Sequence, residues 1–202
     1  MESFLLLVTL VATAAWWHKA QDQGRRVALL ARQLGNYQIE KHMETLTQGY
    51  LRALGESDAQ RREQVWALLQ STEQALDSEF SRFAADFARL DSEHTRVSRL
   101  PLYLPLLTRL LPHATFDMRQ ALAIHAAGIH RAAQGANPAS HRDRAFTLSA
   151  ELFLMQHSCH WFCKSKLVAS ARLLARHQTS YDQVLASVSP QTRNAFAALV
   201  GH

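Results

Sequence analysis

The chain is short of the residues that interrupt helices and of the patterns that start strands. Only seven glycines and five prolines occur in 202 residues. Long helices therefore meet few breaks. No alternating run rich in valine, isoleucine and threonine is present, so strands have no visible seed. Cysteine occurs twice, at Cys159 and Cys163, and a disulfide between them would need unusual geometry within a regular helix. No run of five basic residues exists, which argues against nucleic acid as the ligand despite a net charge of +5. No glutamate has a histidine three places on, so the ferritin-type di-iron pattern is missing. H-E-x-x-H, G-x-S-x-G, a phosphate loop and a dinucleotide fingerprint are also missing. His141-Arg142-Asp143 matches a kinase tripeptide by chance, with no glycine loop or strand around it.

What is present is a helix-forming sequence. Alanine, leucine, glutamine and arginine dominate, all with high helix propensity. Hydrophobic residues make up 48% and charged residues 19%, enough apolar material to bury a core. The prediction is an all-α protein: an N-terminal transmembrane or hydrophobic helix, then an irregular multi-helix bundle. Residues 1–35 form the anchor and juxtamembrane helix in this scheme, and residues 36–202 the bundle, with a subdivision near residues 99–112. The positive charge is uneven, since residues 100–202 carry ten basic and four acidic side chains.

The first seventeen residues hold one charge, Glu2. Phe4, Leu5, Leu6, Leu7, Val8, Leu10 and Val11 supply an apolar run closed by Trp16 and Trp17. A spanning helix needs about 20 apolar residues, with about 17 as the lower limit. The tryptophans fit an aromatic belt at the headgroups. His18, Lys19, Arg25, Arg26 and Arg32 follow, and no lysine or arginine precedes. The positive-inside rule then places the N-terminus outside and the bulk of the chain in the cytoplasm, as a single-pass protein. Two alternatives compete: a signal peptide cleaved near Ala12-Thr13-Ala14, which would export the rest, and a buried helix of a soluble fold.

Further along, Gly35-Asn36 is a helix stop with left-handed tolerance. Ile39, Met43, Leu46, Tyr50 and Leu54 make one apolar stripe. Ser57-Asp58-Ala59-Gln60 reads as a capping box. Trp66, Leu69, Leu76, Phe80, Phe83, Phe87 and Leu90 follow a three-four alternation, interrupted once by Glu73. Such a seam packs within a bundle or, alternatively, across a homo-oligomer through residues 57–90. Residues 99–112 contain seven leucines and three prolines. Proline forbids one continuous helix there, and the segment is expected to plug the core or else to lie in a bilayer surface. Thr115 is expected to cap a third helix to about Gln134, and Gly135-Ala136-Asn137-Pro138 to turn the chain. Ser140 caps a stretch to about His177 that would measure about 55 Å unbroken, so a kink or break is expected. Ser180-Tyr181-Asp182-Gln183 is a second capping box, Ser189-Pro190 opens a last helix, and Gly201 ends it.

The one chemical constellation is His157, Cys159, His160 and Cys163, which share a broad helical arc. Thiolate and imidazole suit zinc or copper, and haem is a further option. One helix rarely supplies four tetrahedral ligands, so His125 and His130 are the outside donors to consider. Packing of small hydrophobic cysteines competes with this. Arg99, Arg109, Arg172 and Arg176 are candidates for an anionic partner or lipid headgroups. The leading expectation is a membrane-anchored helical adaptor without catalytic activity, binding a protein partner or an anionic membrane surface. The alternatives are a metal or haem sensor and a membrane-bound lipid-handling enzyme.

Overall fold

The computed structural model describes residues 1–103, 111–135 and 140–201. Arg109, Pro105 and Ala136-Asn137-Pro138 lie outside the described residues. Among the described residues nine α-helices carry nearly all the regular structure, so the chain is all-α with a long apolar N-terminal helix, as expected. They are α1 (Glu2–Leu34), α2 (Ile39–Gly55), α3 (Ala59–Phe87), the one-turn α4 (Ser92–Thr95), α5 (Met118–Ala133), α6 (His141–Cys163), α7 (Lys166–His177), α8 (Tyr181–Ser187) and α9 (Pro190–Val200).

The stripes read from the sequence become the packing faces. Ile39, Met43, Leu46 and Tyr50 of α2 lie buried against α3. The two helices run back along each other. The Tyr37 hydroxyl, just ahead of α2, donates to Asp86 at 2.6 Å, and Tyr50 at the far end donates to Glu73 at 2.7 Å. Phe80, Phe83 and Phe87 are fully buried, and Phe87 meets Phe162 of α6 edge-on at 6.0 Å. The α3 seam is thus consumed inside the chain by α2 and α5. α6 is the central helix, touching α1, α2, α5, α7 and α8. From Leu148 to Cys163 none of its residues is exposed, because neighbours surround it.

Several local expectations are corrected. Two three-residue strands exist, β1 (Arg96–Ser98) and β2 (Thr115–Asp117), antiparallel with Val97 opposite Phe116. They are too short to show alternation in sequence, and they clasp the ends of the proline-rich segment. Thr115 therefore sits in a strand, and Asp117 caps α5 by accepting from the Arg119 amide. Asp58, not Ser57, caps α3. Leu54 is exposed and Ala53 takes the buried place, because α2 reaches its last turn there. Gly35 closes α1 in right-handed geometry, with φ −60°. The break expected in the long C-terminal stretch falls at Lys164, after which Ser165 caps α7. The Ser180 capping box, the Ser189-Pro190 start and the left-handed Gly201 stop are all present.

The segment around residues 99–112 is not a core plug at its described ends. Leu100, Leu102 and Leu111 are exposed. Arg99 turns the other way, donating to the Leu199 carbonyl at 2.9 Å and so tying the C-terminal helix to β1.

Candidate functional site

α1 changes character along its length. Residues 1–21 are all exposed. Glu2–Leu34 is long and apolar enough to cross a membrane, a property it shares with signal sequences. At 1.5 Å per residue the first twenty residues span about 30 Å, the thickness of a hydrocarbon core. Thr9 and Thr13 return their hydroxyls to the carbonyls of Leu5 and Thr9, so neither presents an unmet polar group on this stretch.

From Gln23 on, the same helix belongs to the bundle. Gln23 and Leu30 are buried. Arg26 is the main fastener: it pairs with Asp22 at 2.8 Å, donates to the carbonyls of Arg96 and Phe162 at 3.0 and 3.3 Å, and lies 5.4 Å above the Phe162 ring. The Tyr103 hydroxyl donates to Asp22 at 2.8 Å, and the Lys164 ammonium donates to Gln23 at 3.1 Å. Trp161 donates its indole N–H to the Ser98 carbonyl at 2.9 Å. One end of the bundle is therefore built from α1, β1, the residues after it, and the α6–α7 junction. Beside it, Arg25, Arg32, His94 and Arg96 line a cavity of about 800 Å³ between α1 and α4, together with Asp22 and Glu93. Sequence reasoning saw Arg25 and Arg32 only as topology markers. Their meeting with Arg96 depends on the long-range docking of α1, which has no local signal.

The histidines and cysteines are distributed, not gathered. Among the described residues no group of three His, Cys, Asp or Glu side chains is placed to hold a metal ion. His125 is fully buried, hydrogen-bonded to Ser158 at 2.8 Å and packed on Phe196. His157 is buried with Ser170 at 3.0 Å and stacks near Tyr181. Burial pushes both imidazoles down to about 3 and keeps them neutral. His160 meets Arg172 at 3.1 Å toward the surface. His130 faces elsewhere, pairing with Asp77 at 2.8 Å. Cys159 contacts the Met155 sulfur at 3.7 Å, and both cysteines are free thiols whose pKa burial raises. A thiol so shifted is a poor nucleophile. The His125–Ser158 contact resembles half of a hydrolytic dyad, but Ser158 donates to the Leu154 carbonyl and both side chains are sealed from solvent. A substrate has no route to them.

Two carboxyl groups are buried with partners that no local sequence signal indicates. Glu73, the interruption of the α3 seam, is 0% exposed and meets Tyr50 and the Arg144 guanidinium, the latter at 3.1 Å. Glu151 on α6 is equally enclosed and accepts from the Ser189 amide and hydroxyl at 3.1 and 2.9 Å. Desolvation raises both carboxyl pKa values. Gly128 makes room for Glu151: a Cβ there would stand 2.3 Å from its carboxylate oxygen. The glycine gap between His125 and His130 thus admits a side chain of α6. An acid interrupting an apolar seam, with an arginine and a tyrosine elsewhere in the chain, was the available signal. The surface arginines differ among themselves. Arg172 and Arg176 are exposed one turn apart on α7, whereas Arg99 is engaged inward.

Comparison with family models, curated proteins and solved structures finds no match to this chain.

Proposed function

We propose that the chain is a membrane-anchored helical adaptor that holds its bundle against the cytoplasmic face of a bilayer and offers basic side chains to an acidic protein partner. The observation that carries this is the continuity of α1. Its apolar stretch is exposed among the described residues and runs without a break into the turns that Arg26 locks to α6 and β1. A buried helix of a soluble fold would instead have its apolar face covered. The cytoplasmic placement rests on Lys19, Arg25, Arg26 and Arg32, which all follow the apolar run. The exposed Arg172 and Arg176 and the cavity of Arg25, Arg32 and Arg96 supply the positive surface. His125, His157, Cys159 and Ser158 each have internal hydrogen bonds or sulfur contacts, which supports a non-catalytic role.

The test is a pair of reporter fusions after residue 35, one active only outside and one only inside the cytoplasm, read in intact cells beside alkaline extraction of membranes. Activity of the cytoplasmic reporter alone, with the uncleaved chain retained in membranes, is the expected result. A shortened chain released in soluble form would overturn the anchor.

A further inference from the structure

We infer that the bundle has a second membrane contact beside the anchor, formed by Leu100, Leu102 and Leu167 entering the interfacial layer of the same bilayer. The inference rests on the anchor proposed above and adds that the bundle sits on the membrane by one defined end.

Trp16 and Trp17 mark the headgroup level. Asp22 is five residues beyond Trp17, about 7.5 Å along the axis. The interfacial region on each side of a bilayer is roughly 5–7 Å thick, from the total and hydrocarbon thicknesses. Asp22 therefore stands at the outer edge of the headgroups, and the Tyr103 hydroxyl is 2.8 Å from it. Leu102 adjoins Tyr103. The Pro101 carbonyl accepts from the Leu167 amide at 3.1 Å, which brings the first turn of α7 to the same place. Leu102 and Leu167 are 56% and 57% exposed there. Leu111 is exposed as well, and its neighbour Pro112 lines a cavity with Asp22 and Arg25.

Apolar side chains at this position would have a nearby apolar solvent in the bilayer. The charges agree with an anionic bilayer. Lys19 is exposed on α1, and Lys164 binds Gln23 one residue past Asp22. Lysines at this depth attract acidic headgroups while the leucines enter the interfacial layer. The far end of the bundle supplies the contrast. Leu68 is 72% exposed near the start of α3, nineteen residues and about 28 Å from Phe87, which packs on Phe162 beneath Arg26.

The full chain is reconstituted into vesicles of phosphatidylcholine and phosphatidylglycerol, some bearing a nitroxide at headgroup depth. A small fluorophore is placed by single substitutions Trp17→Cys, Leu102→Cys, Leu167→Cys and Leu68→Cys. The unaltered chain gives the background from Cys159 and Cys163. Quenching at positions 17, 102 and 167 with none at 68 is expected. Quenching at 17 alone would overturn the seat and leave the anchor standing. Quenching at all four would mean a bundle lying lengthwise and would also overturn it. No quenching at 17 would remove the anchor and the seat together.

Discussion

Residues 1–20 of α1 expose leucines, a phenylalanine and two tryptophans, whereas the junction of α3, α5 and α6 encloses Glu73, Glu151, His125 and His157. The first region carries apolar surface that no described residue covers. The second carries ionisable groups without water. What settles each is the available partner. In the proposed reading a bilayer would satisfy the first, because a helix leaves no backbone group unpaired in hydrocarbon. Internal hydrogen bonds and suppressed ionisation satisfy the second. Hydrophobicity alone would have exchanged the two regions.

The first disturbance is acidification of the enclosed region. The unfolded pKa of histidine is near 6.5, and His125 and His157 are held at about 3 in the fold. Between those values the unfolded chain binds more protons, so the stability these residues contribute is complete above about 6.5 and is lost as the pH falls. Each histidine contributes a slope of up to about 1.4 kcal/mol per pH unit. The raised carboxyls act in the opposite sense: their contribution is complete below the ordinary carboxylate range and is lost as pH rises through the shifted values. They offset part of the acid loss in the wild-type chain. His125→Gln should therefore flatten the acid limb by up to about 1.4 kcal/mol per unit in chemical unfolding measured from pH 7 to pH 5. An acid limb unchanged by this substitution would mean that the imidazole is already protonated or solvated in the fold.

A second disturbance of the same region removes the guanidinium that faces Glu73. Arg144→Met leaves the carboxylate enclosed, with the Tyr50 hydroxyl still donating to it and the guanidinium gone. Loss of one partner of a buried pair costs about 3–5 kcal/mol, and protonation of the carboxyl at low pH limits the loss. The double variant Arg144→Met/Glu73→Gln should recover much of it at neutral pH. Additive losses would show that the pair does not couple.

Less of this region was legible in sequence than of the exposed one. The uninterrupted run Phe4–Trp17 announces itself because neither composition nor length depends on distant residues. The α3 seam, the α2 stripe and the Ser180 box were legible for the same reason: period and capping are local. Glu73 was visible only as a missing apolar place, since Arg144 lies seventy-one positions away. β1 and β2 escaped because three residues cannot display a period of two. The leucine-rich segment reads as core plug or bilayer surface because apolar content does not name its partner, and its described ends exclude only the plug.

On the exposed region the corresponding change is Leu7→Arg. An arginine at a helix centre costs about 2.5–3.5 kcal/mol of insertion, or roughly 100-fold in partition. Since the run is near the shortest that spans, retention in alkaline-washed membranes should collapse, while the helical signal and unfolding midpoint of the bundle stay put. A fall in bundle stability would mean that residues 1–20 pack on it after all.

The smallest effect separates the two halves of one helix most cleanly. Leu10 and Leu30 are twenty residues apart on α1, one exposed and one buried against the bundle. Leu30→Ala should cost about 2 kcal/mol of bundle stability, the low end for a buried leucine, because α1 packs through one face only. Leu10→Ala removes as much side chain but no protein contact, so its unfolding free energy should match the parent in detergent. In vesicles the order reverses: Leu10→Ala weakens partition by the transfer of its lost methylenes, and Leu30→Ala leaves partition unchanged. Two truncations of one residue type in one continuous helix would then be felt in different solvents. Equal losses of bundle stability would show instead that the protein, not the membrane, covers both halves.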